Sequence, residues 1–340
     1  MQAIWIRKHG GPEVLEVRQS PDPVPKDGEI RVRTRAAGLN FAEVSARQGI
    51  YPDAPKPPCI VGYEGAGIVD AVGAGVTAWK PGDRVIFLSR FGAHASVVCL
   101  LDHQLFRMPD SMTFEEGAAL PVNYLTAYHM LFEVRRLRPG DRVLVHMAAG
   151  GVGTAVLQLC RTVPGVTTIG TASAKKHEYV KSHGCDHVID YRNQDYVDEV
   201  RRITSGAGVN VVLDALGGPD WKRGYALLAP GGVLVAFGLA NAAVAGKRNL
   251  LHAAGQILRQ PLYTCMKLMD DNRTVAGVNM GHLWDETVLL RREADALLDL
   301  FSRGLIKPHV GGVFPFSRAA DAHAEIEHAR NMGKIVLVPD

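Results

Sequence analysis

The stretch DRVLVHMAAGGVGTAVLQLCR, residues 141–161, constrains this chain more than any other. Residues 142–147 form a short Val-rich apolar run, the composition of a parallel strand buried on both faces. Ala148, Ala149, Gly150, Gly151, Val152 and Gly153 come next, and residues 154–160 place Ala155, Val156 and Leu159 at helical spacing. Strand, glycine turn and helix, in that order, are the context in which a glycine pattern signals dinucleotide binding. Ala148, Gly150 and Gly153 occupy the three small positions of G-x-G-x-x-G, with alanine in the first. Ala148 keeps the turn tight, Gly150 lets backbone approach a pyrophosphate, and Gly153 lets the helix lie close on the strand. The free N–H groups of Gly151, Val152 and Gly153, at the positive end of the helix dipole, suit the phosphates. The plain alternative is a strand–helix corner with glycines for packing; the repeated strand–helix units downstream argue against it.

After Pro139-Gly140 the pattern alternates. Strands are predicted at residues 166–171, 187–189, 209–213 and 232–237, with helices over 174–182, 195–204 and 221–228 between them. Such alternation gives a doubly wound parallel sheet with helices on both faces, an α/β Rossmann arrangement. Residues 274–279 (TVAGVN) read as a sixth strand. Residues 249–268 form one helical stretch carrying Leu250, Leu251, Ile257, Leu258 and Leu262, for which core packing and a lip over a cleft are both open. Upstream, short strands at 3–6, 15–18, 29–36, 67–72, 83–88 and 93–98, broken by Gly/Pro turns, predict a β-rich domain. Helices are expected at 41–48, at 113–116 with Thr113 as N-cap, and at 122–132. Further helices at 288–303 and 318–330 precede a strand at 335–338 expected to rejoin the first domain. A chain of 340 residues exceeds what one core usually serves, so two domains are expected. The boundaries read as 1–120, completed by 282–340, around 121–281.

Composition narrows the function. A net charge of +3 without a basic block argues against a nucleic-acid partner. Five scattered Cys without a C-x-x-C make neither a disulfide framework nor a zinc knuckle and fit a reducing, cytoplasmic setting. The N-terminus lacks the apolar core of a signal peptide, and no apolar run reaches the roughly 18 residues of a membrane span. H-E-x-x-H and G-x-S-x-G are missing, so hydrolysis is poorly supported.

The second strand of the alternating region ends Ala172-Ser173-Ala174-Lys175-Lys176. An NAD site places an acid here for the ribose 2′-OH. This chain has no acid before Glu178. A hydroxyl and an ammonium instead suit a 2′-phosphate, so Ser173 and Lys176 point to NADPH. The competing reading makes Ser173 an N-cap and leaves the lysines to solvent. Tyr191, after the third strand, is either a further ligand of that phosphate or a buried tyrosine of the sheet edge. Gly217, Phe237, Gly238 and Leu239 come after the fourth and fifth strands, where doubly wound sheets place ligands, and are expected beside the nicotinamide ribose and amide. Asn40 and Tyr63 are neutral hydrogen-bonding groups at positions where a catalytic zinc would require Cys or His. They orient a carbonyl or hold water, or else satisfy local backbone. Thr126 is a candidate neighbour of the nicotinamide or the phosphates.

Together AGLNFAE (37–43), GYEGAG (62–67), PGDRV (81–85) and HMAAGGVG (146–153) resemble the medium-chain dehydrogenase/reductase superfamily. Within it they resemble the zinc-free, zeta-crystallin-like quinone oxidoreductase family. The segments NYLTAY (123–128), GTASA (170–174), Pro308-His309 and NMGK (331–334) look closest to its vesicle amine transport protein branch. The resemblance implies a GroES-like domain built from both chain ends, a Rossmann domain between them, NADPH, a cleft between the domains, and Asn331 and Lys334 among the cofactor-binding residues. In the zinc-dependent relatives a Cys ligand stands where Asn40 is and a His where Tyr63 is, and their four-Cys lobe is missing here; no metal is expected. The quinone reductases often carry a substrate-facing Tyr where this chain has Ser45.

These readings converge on an NADPH-dependent reductase that passes hydride to a quinone or an α,β-unsaturated carbonyl, with Asn40, Tyr63 and Thr126 on the substrate side and no evident general acid. The alternatives are a non-catalytic NADPH-binding scaffold with a membrane or lipid role, and an enoyl-thioester reductase. A homodimer is expected through residues 274–279, placed last in the sheet and so at its edge.

Overall fold

A computed structural model describes residues 1–340. The chain separates into two compact units, one of Met1–Leu125, Val244–Asn249 and Gly281–Asp340, the other of Thr126–Ala243 and Leu250–Met280. Eight strands come first: β1 (Gln2–Ile6), β2 (Leu15–Gln19), β3 (Glu29–Leu39), β4 (Cys59–Ile60), β5 (Glu64–Val72), β6 (Arg84–Leu88), β7 (Val97–Leu101) and β8 (Leu105–Arg107). Six more form the alternating region: β9 (Arg142–Val145), β10 (Thr167–Ala172), β11 (His187–Asp190), β12 (Val209–Asp214), β13 (Leu228–Ala236) and β14 (Thr274–Gly277). Two close the chain, β15 (Val310–Pro315) and β16 (Lys334–Val338).

In the second unit the strands lie in the order β11-β10-β9-β12-β13-β14, every neighbouring pair parallel. This is the doubly wound order 3-2-1-4-5-6, reversing beside the strand that carries the glycine turn. Leu144, Ile169, Val212 and Leu234 are fully buried along it, which is why these strands read as continuous apolar runs. The first unit is mostly antiparallel. Its main sheet runs β15-β16-β3-β5-β6-β8, with β7 also on β3. The final strand pairs with β3, Ile335 opposite Leu39, so the chain end does return to the first unit. Alternation explains β3: Ile30, Val32 and Thr34 are buried while Arg33 and Arg35 are exposed.

Several elements depart from the sequence reading. Residues 249–268 are two helices, Leu250–Leu258 and Cys265–Asp271, because Pro261 cannot supply the N–H a continuous helix needs. Residues 122–132 are an α-helix, Pro121–Tyr128, that widens into a π-helix over His129–Val134. The strand read over 93–98 begins only at Val97, and β3 continues to Leu39. Val244–Asn249, read as part of the cofactor domain, belongs to the first unit.

Candidate functional site

The glycine turn comes directly after β9. Met147, not a glycine, takes the left-handed conformation (φ 54°), and the N–H of Gly150 closes the turn on the Met147 carbonyl at 2.8 Å. Helix Gly151–Cys160 begins with no side-chain cap, so the first-turn N–H groups of Gly151, Val152 and Gly153 have no capping oxygen. A Cβ on Gly153 would lie 2.6 Å from backbone atoms of Ala148 and Met147, so helix and turn touch only because it is glycine. A Cβ on Gly150 would meet only the Met147 carbonyl, at 3.2 Å, which leaves that side of the turn open to a ligand. Ala148 is fully buried and packs where a side chain on Gly170 would have to go, so its small size serves the β9–β10 contact.

The residues expected at the 2′-phosphate come together through the register of two strands. Ala172 of β10 lies opposite Asp190 of β11, so Ser173 and Tyr191 leave the same end of the sheet side by side. Ser173 starts a 3-10 turn, Ala174–Lys176, but its hydroxyl makes no capping bond. Lys176 closes that turn, its N–H donating to the Ser173 carbonyl at 2.8 Å. Tyr191 is 47% exposed, which removes the alternative of a buried edge tyrosine. Asp190, at the end of β11, accepts from Arg192 N at 3.2 Å and Asn193 Nδ2 at 2.6 Å and also meets the Ala174 backbone. The Asn193 bond holds its carboxyl below the usual range.

Beyond β12 and β13 the structure gathers Gly217, Phe237, Gly238 and Leu239. Gly217 (φ 77°) lies where a Cβ would strike the Leu239 side chain at 2.5 Å, and Gly238 is pressed against the Ala215 backbone. Phe237 N donates to the Asp214 carbonyl at 3.0 Å. Sequence reasoning missed Asp214. Its Oδ1 accepts from Leu216 N at 2.7 Å and Gly217 N at 3.0 Å, shaping the turn, while burial pushes its carboxyl up. His146, buried just before the glycine turn, meets Thr171 Oγ1 at 3.2 Å and is held neutral by desolvation. Thr126 is buried within helix Pro121–Tyr128.

In the first unit, Asn40 ends β3 and precedes helix Phe41–Gln48. Its N–H donates to Glu43 at 2.9 Å, one half of a capping box, and its amide turns inward onto Glu43, Glu64 and Lys334. Lys334 and Glu64 are an ion pair with side chains 2% and 0% exposed. Burial raises the Glu43 carboxyl to about 8 and lowers His94 beside it to about 4. Tyr63 is buried in an aromatic box of Phe91 (5.1 Å between ring centres), Trp284 (6.3 Å, stacked) and Tyr51 (6.4 Å, edge-on). Desolvation, reinforced by Glu43, holds its phenol far above the usual range, so Tyr63 keeps its proton. Asn331 Nδ2 donates to the Gly333 carbonyl at 3.0 Å, shaping the turn into β16. The N-x-x-E spacing of Asn40 and Glu43 was a legible signal for part of this cluster; nothing local announced Glu64 or Lys334. No three His, Cys, Asp or Glu side chains are grouped to hold a metal ion.

A parallel sheet in this order with an uncapped glycine turn at its reversal defines a dinucleotide-binding fold. Family models agree: an alcohol dehydrogenase GroES-like domain matches residues 26–110, and a zinc-binding dehydrogenase matches residues 183–337. The chain is 49% identical to the rat synaptic vesicle membrane protein VAT-1 homolog, over 100% of this chain and 84% of that protein. It is 36% identical to a Pseudomonas aeruginosa quinone oxidoreductase over 99% of each. The structure of the Escherichia coli quinone oxidoreductase complexed with NADPH superimposes with a TM-score of 0.88 at 32% identity, over 100% of both chains. The chain belongs to the medium-chain dehydrogenase/reductase superfamily, in the quinone oxidoreductase family that includes the VAT-1 homologues.

Proposed function

We propose that this protein is an NADPH-dependent reductase that delivers hydride to a quinone or an α,β-unsaturated carbonyl. One observation carries the reading: the uncapped turn at Gly150–Gly153 opens beside a strand end that offers Ser173, Lys176 and Tyr191 and no free acid. Anionic phosphates suit both places. When bound, the reduced nicotinamide supplies the hydride. The chain binds and orients: Ala148, Gly150, Gly151, Val152 and Gly153 take the pyrophosphate; Ser173, Lys176 and Tyr191 take the 2′-phosphate; Gly217, Phe237, Gly238 and Leu239 border the nicotinamide end. Asn40, Tyr63 and Thr126 serve the acceptor. Water protonates the product, since a reduced quinone or enolate oxygen needs no strong acid. Steady-state NADPH oxidation against quinones, enones and enoyl thioesters tests this. Turnover of quinones or enones is expected, preference for an enoyl thioester would redirect the assignment, and failure with all three would sink it.

A second reading, a dinucleotide-binding scaffold at a lipid surface, draws on residues 250–269. Leu251, Leu258, Leu262, Met266 and Met269 there are 66–94% exposed and Arg259 lies among them, while Lys267 is paired with Asp271 at 2.9 Å. Patches of this kind mark interaction surfaces. No helix is long and apolar enough to cross a membrane. Co-sedimentation with phosphatidylserine vesicles, lost in Leu251→Ser/Leu258→Ser, distinguishes it.

A further inference from the structure

The Asn40 amide is gripped at both ends. Oδ1 accepts from Lys334 Nζ at 2.5 Å; Nδ2 donates to Glu64 Oε1 at 2.9 Å and, over 3.4 Å, toward Glu43 Oε1. Lys334 also donates to that same Glu64 oxygen, and the other Glu64 oxygen accepts from Val122 N at 2.6 Å. Lys334 lies 294 residues from Asn40, so this is no local turn requirement. A side-chain amide is nearly symmetric in shape, and only its partners fix which end is which. The Lys334 ammonium on one side and the Glu64 carboxylate on the other allow a single orientation here.

A buried ion pair is a weak source of stability, often matched by apolar residues of the same volume. What this one visibly does is orient an amide. We infer that Lys334 and Glu64 are positioning residues that set the Asn40 side chain for the hydride acceptor, and that the Lys334 ammonium serves this purpose rather than a cofactor phosphate. The inference rests on the reductase reading, in which Asn40 meets the acceptor. What the amide keeps for a ligand is a second lone pair on Oδ1 and, once the long contact to Glu43 is released, one N–H.

The cluster is also close to neutral. Lys334 balances Glu64. Glu43 holds a proton at pH 7 because burial outweighs the attraction of Lys334. His94, fully buried, points Nε2 at the Gly38 carbonyl (3.0 Å) and lies 3.9 Å from Glu43; desolvation and Lys334 keep it uncharged. The Tyr63 phenol, desolvated by burial, stays protonated. Ionising Glu43 adds a second carboxylate that competes with Glu64 for Nδ2.

The test uses the whole chain. Lys334→Met/Glu64→Gln removes both charges together and leaves no ion buried alone; Lys334→Arg keeps the charge. Three readouts are taken: NADPH affinity by fluorescence, kcat and KM for a quinone, and the Asn40 side-chain amide resonance, assigned by its loss in Asn40→Ala. In the charge-free variant the resonance should shift, NADPH affinity should stay within about twofold, and acceptor KM should rise about fivefold or more. Adding Asn40→Ala should then cost nothing further. Lys334→Arg should recover part of the KM. Loss of NADPH affinity by about tenfold would make Lys334 a cofactor ligand and overturn the inference. An unmoved resonance would overturn it too, even if no acceptor were turned over, in which case the reductase reading falls separately.

Discussion

Ser173 and Lys176 are the residues proposed to carry the cofactor preference, and charge makes that role measurable. Ser173→Asp or Lys176→Glu places a carboxylate where the proposed 2′-phosphate binds. The loss of one charge-assisted contact, about 1.5–3 kcal/mol, should weaken NADPH roughly tenfold to a hundredfold and leave NADH little changed. Equal losses for both cofactors in binding titrations would show that these residues do not read the phosphate. Glu43 gives a second expectation, in stability. Its carboxyl, ordinarily near 4.5, titrates near 8 in the folded protein. Between those values the folded state holds the extra proton, so stability falls as pH rises from about 4.5 to 8. His94 works the other way, being lowered from 6.5 to about 4, so its contribution grows with pH between those values. The two oppose each other below 6.5; from 6.5 to 8 Glu43 acts without that offset. Melting temperatures should therefore decline across pH 6.5–8 in the wild type and decline less in Glu43→Gln, where Gln still completes the half capping box. Parallel declines would refute the assignment.

Among the elements, the glycine turn and the last cofactor-domain strand are the most exposed to test. Gly153→Ala drives a methyl to 2.6 Å from turn backbone, which cannot yield as a flexible side chain would. It should cost about 1–3 kcal/mol of stability, seen in denaturant midpoints, and weaken NADPH by displacing the N–H groups of the first turn. A tolerated methyl with unchanged affinity would mean the turn does not hold the pyrophosphate. Strand β14 stands at the sheet edge. Val278 N donates inward to the Ala236 carbonyl at 2.9 Å, so a proline there would damage the protein's own sheet. Alternation along a strand turns the N–H groups of Val275 and Gly277 outward instead. Gly277, where a side chain would meet nothing within 4 Å, is the place for proline. If two copies join through this edge, Gly277→Pro should scatter light as a monomer while still binding NADPH. A wild-type protein that is itself monomeric at micromolar concentration would dismiss the dimer without a variant.

At the scale of the whole molecule, the order of sheet strands and the ends of the chain decide what each residue meets. Local physics was enough for much of this. The apolar runs of β9, β10, β12 and β13, the glycines at 150 and 153, Thr113 as a helix cap and Phe41–Gln48 as a helix were all readable, because period, turn chemistry and capping act over a few residues. The pairing of Ser173 with Tyr191 was readable in part, since consecutive strands of a doubly wound sheet tend to be neighbours. Three things were decided only by the tertiary structure. The leucines and methionines of residues 250–271 turn outward, because no core lies over them. Tyr63 became a buried ring among Tyr51, Phe91 and Trp284, brought from three other segments. Lys334, expected at the cofactor, was drawn by β16 pairing with β3 into contact with Glu64 and Asn40. Charges far apart in the chain meet only where strands align them, and burial, which no local pattern reports, then sets their protonation.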